Sequence, residues 1–119
     1  MDTDWSEKII IEDLTDEPQL SESLTGLIDR VNRTGPGKLP HIVLNFGQVS
    51  YLQSSNLAQL LRLRKALAEA GRQLRLCSVR DDVWSVLTVT GLDKLFRCAP
   101  DPVTALAGLQ IELEEHGQT

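Results

Sequence analysis

The segment that most limits the fold is His41–Phe46, HIVLNF. A short apolar run bounded by turn formers has no polar face to turn toward water. It therefore reads as a strand covered on both sides, and so as a central strand of a sheet. The loop TGPGKLP precedes it and the turn GQVSY follows. Beyond that turn lie QSSN and the Leu-rich stretch LAQLLRLRKALAEAG. The spacing predicts a helix over residues 54–70. Leu57, Leu60, Leu63, Leu67 and Ala70 share one side, and Arg62, Lys65 and Glu69 the other, with Gly71 as the C-terminal cap.

The rest of the chain repeats this alternation. EKIIIED (Glu7–Asp13) has the β-branched content of a short strand. In the segment after it, Asp16 is the expected helix cap and Pro18 suits a first turn, while Leu20, Leu24, Leu27, Ile28 and Val31 form an apolar stripe. RQLRLCSV reads as a strand, with Leu74, Leu76 and Ser78 on one face and Cys77 and Val79 on the other. RDDVWSVLTVTGL reads as a helix that starts on an Asp cap and ends at Gly91. Val83, Val86, Leu87 and Thr90 share a face, and the β-branched content leaves the helix dependent on tertiary packing. KLFRCA is a short strand or extended turn. DPVTALAGLQIELEEH opens on Asp-Pro and reads as a C-terminal helix with Val103, Leu106, Leu109 and Leu113 apolar. The expected fold is α/β, a small central mixed β-sheet with about four helices, in one domain over 1–119 whose ends, 1–6 and 115–119, are loose. Periodicity leaves open whether helices cover one face of the sheet or both.

Composition narrows the function classes. Hydrophobic residues are 41% and aromatics only 4% of the 119 residues, so the core is aliphatic. A formal net charge of −5 gives little counterion release on nucleic acid, and the basic stretch from Arg62 to Arg75 reads as a solvated helix face. Cys77 and Cys98 sit in apolar surroundings and read as buried thiols without metal-ligand spacing; His41 and His116 pair with no ligand set. No apolar run is long enough to span a membrane, and the acidic start MDTDWSEK is unlike a signal peptide, which together point to a cytoplasmic protein. Trp5 in that start carries no information. There is no dinucleotide or P-loop fingerprint: RTGPGK lacks the Ser/Thr and the preceding strand, and reads as a loop. A nucleophilic serine needs a base, and neither histidine is placed to serve one. Neither a cofactor nor an enzymatic reaction is expected; the carboxylates of EDLTDE read as solvated or capping groups.

QSSN remains. It lies between a buried strand and a helix, where first-turn N–H groups are unpaired and the helix dipole is positive. Ser54 or Ser55 either caps the helix or presents a hydroxyl that accepts phosphate, which that position would stabilise. The pieces HIVLNFGQVSYLQSSNLAQLLRLRKALAEAGRQLRL and VWSVLTVTGLDKLF, between His41 and Leu95, resemble the STAS domain family of bacterial anti-sigma factor antagonists. That family's pattern is an apolar strand, an Asp-Ser-Ser/Thr-Gly-Leu turn, a helix ending at Gly, a further strand, and a short helix ending in Thr/Ser-Gly-Leu. The resemblance implies that the serine after the motif's Asp, here Ser54, is phosphorylated by a partner serine kinase that is also the anti-sigma factor. Ser55 is the alternative acceptor. Two positions depart from the pattern, Gln53 for the Asp and Asn56 for the Gly, and the opening hairpin of the family is represented only by KIIIEDLTDE. The implied binding surface comprises Ser50, Tyr51, Gln53, Ser54, Ser55, Asn56, Arg62 and Trp84, the last lying off the apolar face of its helix. The rival readings are a constitutive scaffold or adaptor for a signalling complex or transporter, without a phosphorylation switch, and a nucleotide-binding module, for which no phosphate loop is present. A homo-oligomer is compatible with all three.

Overall fold

The computed structural model describes residues 9–115. Its elements run β1 (Ile9–Thr15), α1 (Gln19–Arg33), β2 (His41–Gln48), α2 (Ser54–Glu69), β3 (Leu74–Cys77), α3 (Asp81–Val89), β4 (Arg97–Ala99) and α4 (Pro102–Glu115), with single 3-10 turns at Pro36–Lys38 and Leu92–Lys94. The strands lie in the order β1-β2-β3-β4, and each neighbouring pair is parallel. The sheet is thus all-parallel among the described residues, where a mixed one was expected. The reason is connectivity: every pair of sequential strands is joined through a helix, and a crossover brings the chain back to the same end of the sheet. Residues that could add the opening strand of a hairpin precede Ile9 and lie outside the described residues, as do Glu7, Lys8, Trp5 and His116.

Sequential order has a further consequence. Right-handed crossovers that step in one direction across a sheet all fall on the same face. Accordingly α1, α2 and α3 share one face, and α4, which follows the last strand, takes the other. Ile42, Leu44 and Phe46 of β2, with Leu74 and Leu76 of β3 and Leu14 of β1, pack into the three-helix layer against Leu20, Leu24 and Leu27 of α1, Leu60, Leu63 and Leu67 of α2, and Val83 and Leu87 of α3. Val43 and Cys77 point the opposite way and meet Ala105 and Leu109 of α4. The open question of one covered face or two is therefore settled as two, and β2 is buried on both, as its apolar run requires.

The helix termini follow local chemistry. Arg72 N–H donates to Leu67 O at 2.8 Å and Gly71 N–H to Ala68 O at 3.0 Å, with Gly71 at φ +74. This paired arrangement closes α2 and needs a left-handed residue, so Gly71 is the expected cap. Gly91, φ +77, ends α3 in the same conformation. The Asp expected to cap α3 does not: Arg80 holds the cap position, and Asp81 and Asp82 stand in the first turn, where their charge suits the helix dipole. At α4 the cap is real, since Thr104 N–H donates to Asp101 Oδ1 at 2.7 Å.

Four further expectations are corrected. Cys98 is exposed on the short edge strand β4, whereas Cys77 is buried as expected. Val103 is 76% exposed, because Ala105, Leu109 and Leu113 supply the buried stripe of α4. Val79 packs into the three-helix layer with Leu74 and Leu76; Ser78, at φ 58, turns the chain and breaks the alternation of β3. Glu115 belongs to α4 and is not part of a loose tail. Among the described residues no helix is long and apolar enough to cross a membrane.

His41 begins β2, and only 5% of it is exposed. Its Nδ1 accepts the Gln73 N–H at 2.9 Å, which requires the neutral ring. Burial, then the nearby Arg72 and Arg75, lowers its pKa from the ordinary 6.5, with Glu112 opposing. The folded state thus resists a proton that the unfolded chain takes up as pH falls through about 6.5, so stability is full above that value and declines below it. Urea unfolding should give a lower midpoint at about pH 5.5 than at about pH 7.5, with His41→Gln flattening that part of the profile. Removing the buried Leu63 side chain, fully enclosed beneath α2, should cost about 2–5 kcal/mol in the same assay as Leu63→Ala.

Candidate partner-binding surface

Because the strands are parallel, the loops after β1, β2 and β3 emerge at one end of the sheet, where open α/β folds place their sites. Asp16, expected to cap α1, instead reaches across to the second loop. Its Oδ1 accepts the Ser50 N–H at 2.8 Å and its Oδ2 the Ser50 hydroxyl at 2.6 Å. The Ser50 hydroxyl, then its N–H, hold the Asp16 carboxyl below the usual 3.8, with smaller help from the Tyr51 backbone and Arg80 of the third loop. Val49, fully buried, and Leu52, packed against the core, anchor the loop on either side of Ser50 and Tyr51.

The duty of capping α1 passes to Glu17. Its Oε1 accepts the Ser21 N–H at 2.9 Å and its Oε2 the Ser21 hydroxyl at 2.6 Å. Oε2 also accepts from Asn56 Nδ2 at 2.9 Å. The Ser21 hydroxyl first, and the Asn56 amide second, lower the Glu17 pKa from 4.5. Asn56 continues to Gln59 Oε1 at 3.2 Å, and Gln59 Nε2 reaches Thr25 Oγ1 at 2.9 Å and Ser21 O at 3.3 Å. A polar seam therefore crosses from α1 to α2 through otherwise apolar packing. Buried amides of this kind are tolerated only when their partners are in place, and Asn56, with no exposed surface, has them.

The start of α2 follows from this seam. Gln53 is the cap residue, with extended dihedrals, and its N–H donates to Asn56 Oδ1 at 2.9 Å. Asn56 thus holds the turn from inside with one end of its amide and grips α1 with the other. Ser54 and Ser55 are the first two helical residues, both exposed, and neither hydroxyl has a hydrogen-bond partner among the described residues. Neither serine caps the helix; the hydroxyls are presented to solvent beside first-turn N–H groups that have no intrahelical acceptor.

The expected surface residues divide accordingly. Tyr51, 45% exposed, Gln53, Ser54 and Ser55 lie together on the exposed β2–α2 turn, and Trp84, 37% exposed, stands near the start of α3 at the same end of the sheet. Ser50 is half-buried and its hydroxyl is committed to Asp16. Asn56 departs from the expectation outright: it is interior and unavailable to a partner. Arg62 is exposed but lies about 12 Å further along α2, at 1.5 Å per residue. Gln59 and the cross-links of Asp16 to Ser50 and of Glu17 to Asn56 were not legible in the sequence, because those partners are more than thirty positions away. Among the described residues no cluster of His, Cys, Asp or Glu could hold a metal ion.

Sequence comparison matches residues 12–105 to the family model described as STAS domain, most of the length of the chain. The chain belongs to the STAS domain family. A Paenibacillus polymyxa protein named anti-sigma F factor antagonist is 30% identical over 71 residues, which span 60% of this chain and 61% of that protein, less than two thirds of its length. Among solved structures, the STAS domain of a SulP transporter from Vibrio cholerae superposes with a TM-score of 0.79 at 15% identity, covering 92% of this chain and 86% of that one. A Thermotoga maritima protein described as an anti-sigma factor antagonist gives 0.71 at 18% identity, with coverage of 87% and 89%. An anti-sigma-factor antagonist (STAS) domain protein from Planctomyces limnophilus gives 0.72 at 18%, with 86% and 91%. The STAS fold expected from HIVLNF and its flanking pieces is thus established, in a chain similar to anti-sigma factor antagonists.

In this STAS domain the residue standing at the family's Gly position is the hub of the seam. Asn56→Ala leaves the Gln53 N–H, Glu17 and Gln59 each short of a partner and should cost about 1–3 kcal/mol in chemical denaturation. Ser54→Ala, which removes an unpartnered exposed hydroxyl, should change stability by less than about 0.5 kcal/mol.

Proposed function

We propose that this STAS domain is a cytoplasmic, non-catalytic regulator of the anti-sigma factor antagonist type, which docks the β2–α2 turn on an anti-sigma factor that is also a serine kinase. The observation that carries the reading is the presentation of Ser54: an exposed, unpartnered hydroxyl in the first turn of α2, flanked by Tyr51 and facing the same end of the sheet as Trp84. Trp and Tyr are favoured anchors of protein interfaces, and the sheet end offers both around the hydroxyl. In the proposed cycle the kinase transfers the γ-phosphoryl group of ATP to Ser54 Oγ; the hydroxyl proton leaves to a base of the kinase and ADP departs. The ester then adds nearly two negative charges and three acceptor oxygens beside the free N–H groups of the helix start. That group stabilises itself locally while opposing a partner face that had accepted a neutral serine. Ser55 is the second candidate acceptor by the same geometry.

A second reading has a specific observation behind it. Gln53 supplies no carboxylate beside the hydroxyl, and the Asn56 seam ties the turn rigidly to α1. Both suit a constitutive STAS scaffold, in a signalling complex or beside a transporter, that binds without modification. The two readings separate in one experiment. Wild type, Ser54→Ala and Ser54→Asp are used to retain partners from lysate of the source organism with ATP present, and phosphate is located by mass spectrometry. Phosphate on Ser54, together with an ATP-binding kinase held by wild type and Ser54→Ala but released by Ser54→Asp, is the expected result. The same partner held equally by all three, with no phosphate on the turn, assigns the protein to the scaffold class.

A further inference from the structure

The opposite end of the sheet carries a feature that the proposed docking surface does not use. A cleft of about 190 Å³ opens between the C-terminal half of α2 and the beginnings of β3 and β4, lined by Arg64, Ala68, Arg72, Gln73, Leu95 and Arg97. Three arginines line it, and no acidic residue does. Along α2, Arg64 and Ala68 of its lining lie roughly 15 and 21 Å from Ser54.

The way these arginines are held is informative. Arg64 donates from Nε to Leu95 O at 2.8 Å, and Arg72 donates from Nε to Leu39 O. Each is oriented by a neutral carbonyl. Among the described residues neither is within ion-pair distance of an acid. Using Nε for positioning leaves the two terminal nitrogens of each guanidinium, with their N–H groups, unengaged. Arg97 does have an acidic partner, Glu112, at 3.4 Å; but Glu112 is shared with Arg75, and the Arg97 side chain is 67% exposed. Of Arg64, Arg72, Arg75 and Arg97, two share one carboxylate and two have none among the described residues, in a chain whose net charge is −5. Arginines around one cleft, two of them held by carbonyls and without an acidic partner among the described residues, suit the recognition of phosphate. The volume is below the 300 Å³ or so of a typical drug-sized ligand site, and suits a phosphoryl group with a small attachment.

We propose that this cleft binds a small dianionic phosphate, free or as a phosphomonoester, through Arg64, Arg72 and Arg97. The site is independent of the Ser54 turn. The test uses the full chain at fixed ionic strength and follows the arginine Nε–H resonances by NMR while inorganic phosphate, and separately glycerol phosphate, replaces sodium chloride. The expected result is a saturable shift of the Arg64, Arg72 and Arg97 resonances with phosphate, absent with chloride. Followed at Arg72, whose reporter all variants keep, binding should weaken at least about tenfold in Arg64→Gln/Arg97→Gln and remain unchanged in Ser54→Ala. Arg97→Gln alone, at an exposed side chain, should give an intermediate loss and guards against a folding defect in the double variant. Tighter binding of glycerol phosphate would assign the site to an ester, and equal or tighter binding of inorganic phosphate to the free ion. A shift that matches the chloride control, or that survives undiminished in the double variant, overturns the proposal.

Discussion

The double burial of β2 is the constraint from which the rest follows. A strand with Ile42, Leu44 and Phe46 on one face and Val43 on the other must be covered twice. Three crossover helices in sequence can cover only the face on which right-handed connections place them. The second face then falls to the helix that follows the last strand, and α4 meets Val43 and Cys77 through Ala105 and Leu109. Parallel strands in sequential order also sort the loops: those after the strands gather at one end, and those after the helices at the other. The two candidate sites of this molecule, the Ser54 turn and the arginine cleft, lie at those opposite ends for that reason.

The turn at Ser54 is held less by its own residues than by the neighbouring element. Asp16 pins Ser50, and Glu17 with Ser21 receives the Asn56 amide. Asn56 in turn closes the first turn of α2 through Gln53. The serines are released from capping because an interior amide performs it. A Gly at position 56 would leave both roles unfilled, so the departure from the family pattern is matched by a local structure that depends on it. The resemblance and the structure are complementary here: the family locates the turn, and the hydrogen bonds explain how this chain builds it with different residues.

Much of the architecture was legible along the chain. The α2 stripe of Leu60, Leu63 and Leu67, the Gly71 and Gly91 stops, the Asp-Pro start of α4 and the two-sided run of β2 are local patterns, and each appears in the structure. What sequence reasoning misassigned was partnership over distance. Asp16 has the residue type and position of a helix cap, and only the approach of the second loop turns it toward Ser50, thirty-four residues on. The arginines of α2 read as a solvated face until the beginnings of β3 and β4 bring Gln73 and Arg97 beside Arg64 and Arg72. Cys98 was expected inside because its neighbours are apolar, but β4 is a short edge strand, so the residue is exposed.

The sequence by itself determined the alternation of strands and helices, the central place of β2, and the position of QSSN at a strand–helix junction, because these depend on periodicity and on backbone conformations that Gly, Pro and Asp favour locally. Tertiary structure alone decided that α4 covers the second face, that Asn56 is buried while Ser54 and Ser55 are presented, and that three arginines line one cleft at the far end of the sheet. Those outcomes rest on hydrogen bonds and charges between residues distant in the chain, and such pairings are set by the three-dimensional approach of whole elements rather than by any spacing within them.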